Sequence, residues 1–157
     1  MSTREPKNPL DSLYQEVILD HYRSPHNFGL LTLDKGTAQI HQENPSCGDQ
    51  IDLQVQVEDG RIQTIRFQGK GCAISQASAS MMTDQVRGKT VEEARTILAA
   101  FQAMLFSKDY DPEILGDLEA LEGVRKFPVR TKCATLVWHC LQTLLDELAS
   151  PVSEKSV

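Results

Sequence analysis

A chain of 157 residues with 40% apolar side chains has room for one ordinary domain built around its own hydrophobic core. Its 22 acidic residues outnumber the 16 basic ones, for a net charge of −6, which argues against the basic footprint that binding to nucleic acid requires. No apolar run approaches the roughly 20 residues of a membrane span. The polar stretch from Met1 to Asn8 lacks the apolar core of a secretory signal, so the expected location is the cytosol.

In chain order, Leu10, Leu13, Tyr14, Val17 and Ile18 recur at helical spacing and predict a helix from about Pro9 to Tyr22. Pro25 ends it, because the residue before a proline is disfavoured in helical geometry. His26 to Gly29 continues as a turn. Thr37 to Gln42 is a weakly patterned strand, whereas Ile51, Leu53, Val55 and Val57 alternate with polar residues as in a strand with one buried face. Asp59-Gly60 signals a tight hairpin into a returning strand from Arg61 to Gln68. A three-stranded antiparallel meander is the simplest arrangement.

From Cys72 onward the pattern is helical. Ala73 to Val86 is rich in small residues that allow close approach to the sheet, and Gly88 ends it. Thr90 and Glu93 form a capping box for a helix whose Val91, Ala94, Leu98, Phe101 and Leu105 share one face. Ser107 to Lys126 is mixed, with short helical turns expected at Pro112–Leu115 and Asp117–Leu121. A final helix is expected from about Thr131 to Leu148. Strands first and helices after indicate an α+β fold in a single domain, 1–157, with 1–8 and 150–157 expected to be flexible.

Four cysteines, at positions 47, 72, 133 and 140, must be accounted for in a reducing compartment, where disulfides are disfavoured. Cys47 lies in the turn-rich stretch Asn44 to Asp49. Cys72 follows Gly69-Lys70-Gly71, Cys133 follows Phe127-Pro128-Val129-Arg130, and both are expected to start helices. At a helix start the macrodipole favours a thiolate, and Lys70 and Lys132 would add positive charge if they turned inward. Cys140 comes seven residues after Cys133, about 10 Å further along the same helix, and is expected to pack as a small apolar residue.

Three thiolates leave one position on a tetrahedral metal, and Asp49, two residues from Cys47, stands in the same turn. A carboxylate there is equally readable as a cap of the turn. Among the histidines, His139 lies about 240° around the helix from Cys133. His21 and His26 are expected to cap or pack at the end of the first helix, and His41 is an outside candidate in the first strand. There is no Cys-x-x-Cys pair, so by spacing alone these cysteines could equally be ordinary buried thiols.

Read with their neighbours, these segments resemble the IscU/NifU N-terminal superfamily of iron–sulfur cluster assembly proteins. The matching stretches are Asn44 to Asp49, Gly69 to Ser75 with Ala77 to Met82, Phe127 to Trp138, and Leu19 to Tyr22 through Asn27 to Gly29. The match is closest to the SufU-type branch, because Lys132 stands where IscU-like scaffolds carry a histidine and because of the additional segment from Ser107 to Lys126. The resemblance implies an α+β domain with helices packed on one face of a three-stranded antiparallel sheet. It also implies zinc held by Cys47, Asp49, Cys72 and Cys133, with the missing histidine strengthening Asp49, and Arg130 as a supporting partner of Asp49. Cys47 would accept persulfide sulfur from a SufS-type cysteine desulfurase, a pyridoxal phosphate enzyme, for downstream iron–sulfur assembly components. An alternative of the same class is a scaffold on which a transient [2Fe–2S] cluster is built and passed on. A third reading, of a different class, is a binding module in which zinc only stabilises the fold.

Overall fold

The computed structural model describes residues 16–32, 37–45 and 48–149. Helix α1 (Glu16–Arg23) leads into three strands, β1 (Thr37–Asn44), β2 (Asp49–Glu58) and β3 (Arg61–Lys70). Helices α2 (Ala73–Val86), α3 (Val91–Leu105) and the single turn α4 (Pro112–Leu115) follow, then successive 3₁₀ turns over Gly116–Lys126 and the long α5 (Pro128–Ala149). The start of the expected first helix, before Glu16, lies outside the described residues.

The strands form an antiparallel sheet in the order β1-β2-β3. Glu58 pairs with Arg61 across the two-residue turn Asp59-Gly60, whose φ angles of 55° and 75° are those of the tight hairpin expected from the dipeptide. Alternation sends Ile51, Leu53 and Val55 of β2, with Ile65 and Phe67 of β3, into the core, and a register shift opposite Gln56 and Val57 lets Ile62 join them. Helices α2 and α5 cover that face. On the opposite face, the buried amide of Gln54 clasps the backbone of Leu31, accepting from its N–H at 2.9 Å and donating to its carbonyl at 2.8 Å. The chain leaving α1 also runs beside β3: Gly29 N–H donates to the Phe67 carbonyl and Phe67 N–H to that of Asn27.

Helix α2 is the centre of the molecule. Every residue from Ile74 to Thr83 is buried, which explains its run of alanines and serines. Larger side chains would hold neighbouring elements apart. Its serines are bonded as well as small. Ser78 Oγ donates to the Ala134 carbonyl at 2.7 Å and accepts from Trp138 Nε1 at 3.0 Å, fixing α5 against α2. Trp138 in turn stacks on Phe101 of α3, ring centroids 4.3 Å apart. The Thr90–Glu93 capping box forms as expected, with both reciprocal bonds at 3.0 Å.

Candidate metal centre

Strand register brings the candidate ligands to one end of the sheet. Gln50 pairs with Lys70 and Ile51 with Gly69, so one step further on Asp49 faces Gly71. A Cβ on Gly71 would stand 2.9 Å from Asp49 Cγ and nearer still to its Oδ1 and to Ser75 Oγ. Glycine is required there for space, since its φ is not positive. Cys72 comes next as the N-cap of α2, and its N–H donates to Asp49 Oδ1 at 3.2 Å. Its side chain makes no capping bond to the helix, so the thiol is not used in closing α2. Asp49 itself is only 1% exposed, and a carboxylate so far from water needs donors or a cation beside it.

Cys133 arrives from the other side, on α5. The expectation that it starts a helix is not met. Helix α5 begins at Pro128, and Cys133 is buried in its second turn. Proline is favoured at a first helical position, where the missing N–H has no intrahelical partner to lose, so Phe127-Pro128 starts the helix earlier than the apolar pattern indicates. Of the two, only Cys72 therefore stands at a helix start. Lys70 and Lys132 are both exposed and do not turn inward.

One ligand atom each from Asp49, Cys72 and Cys133 lies within 4.8 Å of the others. Around a tetrahedral metal with bonds of 2.0 to 2.3 Å, ligand atoms stand roughly 3.5 to 3.8 Å apart, so closing on an ion needs shifts of no more than about 1 Å. Two thiolates and a carboxylate suit zinc, and thiolates equally suit iron–sulfur clusters. Cys47 lies outside the described residues. Its flanks are close at hand: Asn44 pairs with Asp49, and Gly48 N–H donates to the Asn44 carbonyl at 2.8 Å. Arg130 is half-buried three residues before Cys133, on the same side of α5.

The remaining candidates separate cleanly. Cys140 is fully buried away from the cluster, and desolvation, with a smaller contribution from Asp52, pushes its thiol up to about 12. His139 is exposed on α5. His41 is exposed on β1, and its ring contacts Glu43 at 3.0 Å and Asp52 at 2.8 Å, which raise its pKa above the ordinary histidine value. His21 and His26 do more than cap a helix. They meet Asp84 of α2 in a second group whose ligand atoms also lie within 4.8 Å of one another. Burial, then the neighbouring His26, lowers the pKa of His21. Nothing in sequence spacing pairs His26 with Asp84, because the contact depends on the path of the chain after Pro25.

The fold and this cluster define a small α+β domain with a candidate metal site at one end of a three-stranded sheet. The chain belongs to the NifU-like N-terminal domain family, whose model matches residues 13–134. It is 46% identical over 134 residues to the zinc-dependent sulfurtransferase SufU of Bacillus subtilis, covering 85% of this chain and 89% of that protein. It is 42% identical over 142 residues to the iron–sulfur cluster assembly scaffold protein IscU of Streptococcus pyogenes, covering 90% of this chain and 87% of that protein. The crystal structure of FiSufU from Fervidobacterium islandicum AW-1 superposes with a TM-score of 0.75 at 32% identity, over 85% of this chain and 96% of that one. An N-terminal NifU-like structure from Brucella abortus, at 23% identity, shares the fold with a TM-score of 0.82 over 90% of this chain and 98% of that one. No helix among the described residues is long and apolar enough to cross a membrane.

Proposed function

We propose that this protein is a zinc-dependent sulfur acceptor of iron–sulfur cluster assembly, working in the cytosol with a SufS-type cysteine desulfurase. The observation that carries this reading is the convergence of Asp49, Cys72 and Cys133 within 4.8 Å, at the end of the sheet where the segment bearing Cys47 joins β1 to β2. The similarity to SufU of Bacillus subtilis supports zinc as the metal and sulfur transfer as the chemistry. Cys47, Asp49, Cys72 and Cys133 would hold the ion. When bound, zinc supplies a fixed positive charge that keeps thiols deprotonated, without redox chemistry.

The chain's residues have separate tasks. Cys72 and Cys133 sit on helices locked into the core and serve as fixed anchors. Asp49 is held between Gly71 and the Cys72 N–H, with Arg130 as its further positioning partner. Cys47 is the acceptor: its thiolate attacks the terminal sulfur of the persulfide on the desulfurase cysteine. A new S–S bond forms to Cys47 Sγ. The old S–S bond breaks, and its electron pair leaves with the partner's cysteine as a thiolate. The exchange needs no outside oxidant or reductant, and the sulfur is then passed to downstream assembly components.

The test is a persulfide assay with a SufS-type desulfurase, with mass spectrometry locating the added sulfur. Label on Cys47, abolished in Cys47→Ser, is the expected result. A Cys47→Ser chain that accepts sulfur and stimulates the desulfurase as the wild type does would overturn the assignment. The similarity to scaffold IscU of Streptococcus pyogenes supports a second reading, assembly and transfer of a [2Fe–2S] cluster on the same residues. Anaerobic purification distinguishes them: stoichiometric zinc fits sulfur transfer, and a labile cluster passed to an apo-protein fits scaffolding.

A further inference from the structure

Far from the thiolates, the exit of α1 folds back over α2 and brings two imidazoles and a carboxylate together. One ring nitrogen from each of His21 and His26 and one oxygen of Asp84 lie within 4.8 Å of one another. Asp84 is twelve residues beyond Cys72, about 18 Å along the axis of α2, so the two clusters cannot share an ion.

The groups around these side chains orient them as outer partners of a metal site do. Ser80 Oγ meets His21 Nδ1 at 2.7 Å and also accepts from His26 N–H at 2.8 Å, which holds both histidines against the helix. A bond at Nδ1 fixes the orientation of the His21 ring. Asn27 Nδ2 donates to Asp84 Oδ1 at 3.2 Å, while Asp84 Oδ2 contacts His26 Nδ1. The two rings stand 4.5 Å apart at an interplanar angle of 45°. Asp84, Asp117 and Asp20 act on His21 against the lowering by burial and by His26. His21 is buried, whereas the side chains of His26 and Asp84 are 52% and 39% exposed, giving an ion access from solvent on one side.

We propose that His21, His26 and Asp84 form a second metal site, which binds a divalent first-row transition ion through two imidazoles and a carboxylate. Such a donor set, without thiolate, is suited to Zn²⁺, Co²⁺, Ni²⁺ or Fe²⁺ rather than to Ca²⁺ or Mg²⁺. An ion there ties the segment after Pro25 to α2. Since Asn27 and Gly29 in turn bond to Phe67, the ion also secures the segment that covers the outer edge of β3.

The experiment uses the full chain carrying one equivalent of zinc. Co²⁺ is titrated in, followed by calorimetry and by the broadening of histidine ring signals in proton NMR. One further equivalent is expected, with a weak absorption lacking thiolate charge transfer, and with His21 and His26 broadened ahead of His41. His26→Ala and Asp84→Asn should each weaken that equivalent at least tenfold while leaving the zinc content at one. Both side chains are partly exposed, so the variants retain the core, which circular dichroism checks. Absence of a second equivalent in the wild type overturns the proposal. So does a second equivalent bound equally well by the His26→Ala/Asp84→Asn double variant.

Discussion

Gly71→Ala is the most informative single change at the thiolate site. The backbone at position 71 suits any L-residue, so the substitution acts only through the added methyl group, which overlaps the Asp49 carboxylate. To make room, that carboxylate must swing away and give up its bond from the Cys72 N–H. A hydrogen bond to a charged group contributes about 1.5–3 kcal/mol. Zinc affinity should therefore fall roughly 10- to 150-fold. The metal-free protein also loses this bond and takes on about 1–3 kcal/mol of overpacking, offset in part by the about 0.4–1 kcal/mol by which alanine restricts the unfolded chain. Competition with a chromophoric chelator measures the affinity, and urea unfolding of the metal-free protein measures the remainder. The two changes should also be non-additive, with Gly71→Ala costing little further affinity on an Asp49→Asn background. Wild-type zinc affinity in Gly71→Ala would refute both the close fit and the ligand role of Asp49.

Three further outcomes follow from the packing. Cys140, buried and with its thiol raised to about 12, should resist alkylation at mildly alkaline pH until denaturant is added, as mass spectrometry would show. The His41 ring should titrate above 6.5 by NMR and move back toward it in Glu43→Gln. Because its folded value is raised, its small contribution to stability is present below 6.5 and is lost as pH rises through the folded value. Thr90→Ala removes the acceptor of the Glu93 N–H and should destabilise the fold by about 1 kcal/mol in urea, with no change in zinc content.

The meander was legible in the sequence because alternation in β2 and the Asp59-Gly60 turn are local signals. The capping box at Thr90 was legible for the same reason. The start of α5 was misplaced because Val129 and Arg130 carry no apolar pattern, and the proline at its first turn outweighs periodicity. Asp49 could be nominated from its nearness to Cys47. Its burial and its opposition to Gly71 could not, because both come from the register between β2 and β3. The meeting of His21, His26 and Asp84 was invisible for a related reason: it depends on how Asn27 and Gly29 bond to β3, a long-range contact with no local signature.

The burial of α2 on every side also bears on how this chain can change over time. A helix wetted along one face keeps a strip where substitutions drift without consequence. From Ile74 to Thr83 there is no such strip, so a mutational scan should show a continuous block of intolerance instead of stripes at helical spacing. Exchange in that stretch is confined to residues of nearly the same volume, and new properties must enter the molecule through its loops and outer helices.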